Sequence, residues 1–147
     1  MLDLILACLH HLLIFGLFAL LLSEFLMLKP GVDAAALIRI SRIDMMYGAF
    51  AGILLVVGFC RAIFAAKGWT YYSHNMWFWA KIGTFVIISL LSIPPTLALI
   101  RWRRSGRLPD EADIRSVRRL FHYELTLFML LPLFAAAMAR GYGEFRF

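Results

Sequence analysis

The run LILACLHHLLIFGLFALLLSEFLML, residues 4–28, contains His10, His11, Ser23 and Glu24 as its only strongly polar residues. A hydrocarbon core of roughly 30 Å is crossed by about 20 apolar residues in a helix, so this run is long enough to span a membrane. No water is available there, so backbone N–H and C=O groups must pair within the segment, which requires a helix. Three further runs of the same kind follow, at about 43–66, 76–100 and 120–139. The chain therefore reads as all-α: a polytopic membrane protein with a bundle of four transmembrane helices, one membrane domain over residues 1–147.

Composition agrees. Hydrophobic residues make up 63% of the chain and charged ones 16%, with mean hydropathy +0.81. A soluble domain of this length has too much surface for its volume to hide that apolar area. The first run reads as a retained helix rather than a cleaved leader. Met1-Leu2-Asp3 lacks positive charge, and no small-x-small cleavage pattern follows it.

Most of the net charge of +6 sits in one loop, at Arg101, Arg103, Arg104, Arg107, Arg115, Arg118 and Arg119. Basic residues beside membrane segments set orientation and meet anionic lipid headgroups. No aromatic interleaving or nucleic-acid motif accompanies them, so nucleic acid is excluded as a partner. Loop one adds Lys29, Arg39 and Arg42, against Arg61, Lys67, Lys81, Arg140 and Arg146 on the other side. The positive-inside rule puts loops one and three in the cytoplasm and both termini outside. Cys8 and Cys60 form no metal or disulfide pattern and read as buried small residues.

Boundaries are marked by Lys29-Pro30-Gly31, which stops the first helix, and by Asp33, placed to cap an interfacial stretch over residues 34–41. Pro109, Asp110, Glu111 and Asp113 open the helix that enters the membrane last, with acids at the positive end of its dipole. Pro94-Pro95 and Pro132 predict kinks in the third and fourth spans. The loop over residues 68–75, with Trp77 and Trp79 after it, forms an aromatic belt at headgroup level. Helix two carries a stripe of Asp44, Gly48, Ala51, Leu55, Gly58 and Ala62, with Gly48 and Gly52 in GxxxG spacing. Such residues let helices approach closely in lipid, within the chain or in a homo-oligomer.

Ionisable residues inside spans are costly and by default point to function. They fall into two layers. The outer layer holds His10, His11, Arg61, Lys81 and Arg140, with His74 just above; the inner layer holds Glu24, Asp44, His122 and Glu124. His10 and Glu24 share a helix face but stand about 21 Å apart along the axis. His122 and Glu124 lie about 200° apart around their helix, and His122 is expected to face the bundle. The inner acids are expected either to pair with Arg42, Arg118 and Arg119 or to form a proton relay.

A bis-histidine haem needs two imidazoles at one depth. His10 and His122 are separated by about 15 Å or more, so an iron would take His10 or His11 with His74, or one histidine and a different ligand. His10 is the first metal ligand on this reading. Arg61, Lys81 and Arg140 would hold haem propionates by charge-assisted hydrogen bonds. Against this stands plain snorkelling of the long side chains to the interface.

Asp44-x-x-Tyr47-Gly48, Gly58-x-x-Arg61, Lys67-Gly68, Tyr72, Phe78-Trp79-x-Lys81, Ser92 and Pro95-Thr96 resemble a bacterial family of small four-helix membrane proteins of unknown function. Together with His10, His11 and Glu24 the likeness runs over nearly the whole chain. It implies multi-pass insertion in a bacterial inner (plasma) membrane. A more distant likeness, in an early histidine of helix one and Trp77 to Lys81 at the start of helix three, is to HemJ-type protoporphyrinogen oxidases. The chain departs from that pattern at Ser23-Glu24 and at Ser92. The resemblance implies binding of haem b or a porphyrin through His10 and Lys81.

Three functions follow: a membrane haem, porphyrin or redox protein with an outer-leaflet site; a small proton- or ion-coupled transporter using the inner layer; a structural or assembly subunit. A soluble-style active site is not expected, because nucleotide-binding glycine loops, nucleophile elbows, HExxH and CxxC are missing from the sequence; if the chain is an enzyme, the haem reading implies a membrane oxidoreductase.

Overall fold

A computed structural model describes residues 1–64 and 68–145. Lys67 and Arg146, which enter the charge count between loops, lie outside the described residues. Among the described residues there are six helices: α1 (Leu2–Met27), α2 (Ala34–Phe64), α3 (Gly68–Ser73), α4 (Met76–Ser105), α5 (Glu111–Phe128) and α6 (Leu130–Ala139). Four helical segments are long and apolar enough to cross a membrane, the last being α5 and α6 taken together.

The expected stops and starts are made by backbone chemistry. Past Met27 the chain turns at Gly31, whose φ of 79° no ordinary side chain favours. Asp33 Oδ1 accepts the Ala36 N–H at 2.6 Å, and Asp110 Oδ1 accepts the Asp113 N–H at 2.7 Å. Each satisfies a donor that the first helical turn leaves unpaired.

Two boundaries differ from the sequence reading, while the start of the last span and its break before Pro132 follow it. The interfacial stretch before span two is continuous with it, so α2 begins at Ala34. Part of the loop before α4 winds into the short helix α3. The last span begins at Glu111 and breaks at Met129, three residues before Pro132. Proline lacks the N–H that Phe128 O would accept, and its ring crowds that carbonyl. Pro94-Pro95, in contrast, sits inside α4, which continues as one helix.

The spans form a ring in which α1 packs on α2, α2 on α4, α4 on α5 and α6, and α5 back on α1. The buried stripe of α1 reads His10, Leu13, Leu17, Leu21, Glu24. Three leucine layers thus separate two polar residues, and Leu54, Val57, Ile88, Phe121, Phe128 and Leu131 complete this apolar plug. Large apolar residues such as Leu12, Phe15, Val56, Leu90 and Leu97 cover the outside. That is the expected surface where the solvent is hydrocarbon.

The small-residue stripe of α2 is split. A Cβ at Gly48 or Gly52 would meet nothing within 4 Å, so neither glycine supports helix packing inside the chain. Gly58 does: a Cβ there would lie 3.2 Å from His10 Cε1.

At the aromatic end, the C-terminal turn is fastened to the start of α4. Met76 N–H donates to Gly143 O at 2.9 Å, Phe145 N–H to His74 O at 2.9 Å, and Asn75 Nδ2 to Tyr142 O at 3.1 Å. Gly143 has φ of 77°, and a Cβ on it would stand 2.6 Å from Trp77 Cδ1. Gly143→Ala is therefore expected to lower stability by about 1–3 kcal/mol through backbone strain alone. Gly52→Ala, which meets nothing within 4 Å, should leave it unchanged. Unfolding of both variants in detergent, followed by circular dichroism, checks the contrast.

Candidate functional site

The two polar layers expected from the sequence are both present, but their members differ in burial. In the outer layer only His10 is buried, at 8% exposure, held between α1 and the bare backbone at Gly58. Among the described residues its Nδ1 has no hydrogen-bond partner, and neither does the buried Nε of Arg61. Arg61 and Lys81 both act electrostatically on His10, which places two cations around one imidazole. Lys81 Nζ also lies 5.6 Å from the centre of the Phe78 ring.

The remaining outer residues point elsewhere. His11 is exposed, with Nδ1 2.6 Å from Ala7 O, and its ring centre is 6.2 Å from that of His10 at 85°. His74 is exposed, and its Nδ1 lies 2.8 Å from Thr70 O. Arg140 is exposed past the end of α6. His10 is thus the sole buried imidazole among the described residues.

The inner layer is assembled more tightly. Glu24 of α1, Asp44 of α2 and Glu124 of α5 are all buried, at 1%, 6% and 0% exposure. Asp44 and Glu124 both act electrostatically on Glu24. Tyr47, one turn beyond Asp44, donates its hydroxyl to Glu124 Oε2 at 3.4 Å. Thr96 of α4 donates to Asp44 Oδ1 at 2.7 Å. Both oxygens of Glu24 and Oε1 of Glu124 have no partner. Four spans therefore contribute one polar side chain each to the inner layer, with Tyr47 as a second from α2.

Two expectations are corrected here. Glu124, not His122, faces the bundle; His122 is exposed, its ring 6.3 Å from that of Phe25. The apolar stripe of α5, which holds Ile114, Val117, Phe121 and Phe128, carries Glu124 inward with it. The acids also do not pair with arginines. Among the described residues the ion pair present is the exposed Arg115–Glu111, at 3.1 Å. Arg118 instead donates to the carbonyls of Phe25 and Leu28 and lies 4.3 Å from the centre of the Phe25 ring. It serves as a cap for the end of α1, where carbonyls lack intrahelical donors. Arg42 and Arg119 are exposed.

Sequence reasoning passed over Tyr47 and Thr96 as parts of the centre. A signal was available for Tyr47, which stands three residues from Asp44 and so on nearly the same helix face. Thr96 carried none, because its partner lies 52 positions away.

With the geometry in hand, comparison with known proteins is informative. A family model described as "Predicted membrane protein (DUF2214)" matches residues 2–143. The chain belongs to that family. No curated protein and no solved structure matches it. The match supports a multi-pass membrane protein in contact with the bilayer, in agreement with the four spans.

Chemically, three buried carboxyls without a basic partner cannot all be charged in a low-dielectric surrounding unless something compensates them. Among the described residues no three His, Cys, Asp or Glu side chains converge closely enough to hold a metal ion. Protonation is one way to lower that charge without a shared coordination sphere. Replacing Glu24 by leucine should then leave stability unchanged or raise it by about 1–4 kcal/mol, as when buried ionic groups give way to apolar ones. Loss of a structural ion-pair partner would instead destabilise the fold. Thermal unfolding of Glu24→Leu in detergent tells the two apart.

Proposed function

We propose that this protein is a small proton-coupled membrane protein whose working centre is the inner acidic cluster of Glu24, Asp44 and Glu124, with Tyr47 and Thr96 as hydrogen-bonding neighbours. The observation that carries this reading is Glu24: 1% exposed, with both carboxyl oxygens unpartnered and two further acids acting on it. An acid kept in that position at a cost to the fold is the usual mark of a proton or ion pathway within a membrane. Tyr47 can accept and donate, so it can pass a proton to or from Glu124 Oε2 while its own backbone stays fixed. The leucine layers above Glu24 hold no polar side chain on the α1 stripe and block direct transfer to His10. Access is therefore from the arginine-rich end. The exposed arginines there would meet anionic headgroups, and the unpartnered face of Gly48 and Gly52 would suit a second copy of the chain.

The test is proton uptake by purified protein in liposomes carrying an internal pH-sensitive dye. Uptake should be abolished or reduced at least tenfold in Glu24→Gln and Glu124→Gln, and little changed in His122→Ala. Equal uptake by wild type, Glu24→Gln and empty liposomes would remove the proposal.

A second reading is favoured by the unpartnered Nδ1 of His10 beside two cations. In it, His10 would bind the iron of haem b and Lys81 and Arg61 would hold its propionates; such a haem would supply one-electron chemistry. The residues fit a single-imidazole site. They do not fit a bis-histidine one within the chain, since His11 and His74 point outward with their Nδ1 atoms against backbone carbonyls. A Soret band in purified wild type that is lost in His10→Ala is the expected result, and protein without such a band after growth with added haem precursor counts against it.

A further inference from the structure

A groove of about 240 Å³ opens between α2 and α4 towards the arginine-rich end. Arg103 and Arg104 line it near the C-terminal end of α4, and Ser41, Asp44, Ser92 and Thr96 line it further along the two helices. Antiparallel packing through the Asp44–Thr96 hydrogen bond fixes the depth: Thr96 lies seven residues, about 10 Å of helix rise, below Arg103. Long arginine side chains cover part of that interval.

Charge is arranged along this groove with opposite signs at its two ends. Arg103 and Arg104 are exposed and have no carboxylate partner among the described residues. Asp44 gives Oδ1 to Thr96, and no described residue donates to its Oδ2. Ser41 Oγ is 4% exposed as a residue, lines the groove and has no hydrogen-bond partner. A simple cation would be repelled at the arginine end and a simple anion at the Asp44 end. A group with positive charge at its leading end and negative charge behind it satisfies both.

We propose that this groove binds a zwitterionic headgroup of the phosphoethanolamine type, with its primary ammonium on Asp44 and Ser41 and its phosphate on Arg103 and Arg104. A primary ammonium carries three donors for Asp44 Oδ2 and Ser41 Oγ, which a quaternary ammonium lacks. Arginine presents a planar fork of donors suited to phosphate oxygens. Met45, which lines the groove, is apolar and exposed, so acyl chains attached to the headgroup would remain in the hydrocarbon. The inference rests on the proton-centre reading only through Asp44, which belongs to both.

The experiment uses full-length protein in nanodiscs of equal phosphatidylethanolamine, phosphatidylglycerol and phosphatidylcholine, with retained lipid measured by native mass spectrometry. Wild type is expected to keep phosphatidylethanolamine at least tenfold over the other two. Asp44→Asn and the double variant Arg103→Gln/Arg104→Gln are each expected to lose that preference; the arginines are exposed, so the double variant keeps its fold. Glu24→Gln, which lines no part of the groove, should retain the lipid even where proton uptake fails, which separates the two proposals. Displacement of bound lipid by free O-phosphoethanolamine would assign the site to a soluble headgroup compound, and failure to displace would assign it to the lipid itself. Equal retention of the three lipids by wild type, or unchanged preference in both groove variants, overturns the proposal.

Discussion

Hydrocarbon offers no hydrogen bond and almost no dielectric screening, so every polar group inside a span must find its partner within the protein. The backbone meets this demand by helix formation. At the α1 terminus, where helix geometry leaves carbonyls unpaired, Arg118 reaches from α5 to supply the donors. The same demand governs the side chains. Ser89 and Thr126 return their hydroxyls to carbonyls four residues earlier, and Trp79 Nε1 finds Ser73 O. Against this background of satisfied groups, the unpartnered oxygens of Glu24 and Glu124 stand out as features that packing alone does not account for.

The two polar layers have different characters. The outer one is cationic and loosely organised, with one buried imidazole and two long side chains that also reach towards an interface. The inner one is acidic, and its members come from every span of the ring. Commitment of Arg118 to backbone carbonyls explains why the acids remain without a counter-charge although seven arginines crowd that end of the bundle. An arginine that caps a helix across the bundle is tied to the fold, its guanidinium engaged by the carbonyls of Phe25 and Leu28.

Much of the fold was legible in the sequence because lipid imposes length and polarity rules that a linear reading captures. The four spans, the caps at Asp33 and Asp110 and the stop after Met27 all follow from local chemistry. The shared face of His10 and Glu24 was equally legible from helical spacing. The side of the last span that turns inward was not. His122 and Glu124 are near-opposite on the helix, and the choice between them depended on Ile114, Val117 and Phe121 packing as a unit. Pairing of the acids with arginines failed as an expectation for a related reason. Proximity in sequence and depth does not reveal that a guanidinium has found backbone carbonyls first.

The leucine layers between His10 and Glu24 also have an electrical meaning. A membrane voltage falls mainly across whatever low-dielectric material separates the two aqueous sides, and moving one elementary charge through the whole drop is worth about 2.3 kcal/mol per 100 mV. Leu13, Leu17 and Leu21 are that insulator along α1. Charges reaching Glu24 from the arginine-rich end would traverse little of the drop, whereas those at His10 sit beyond it. On the proposed reading, loading of the acidic centre would thus be nearly blind to membrane potential, whereas moving a charge through the leucine septum would not.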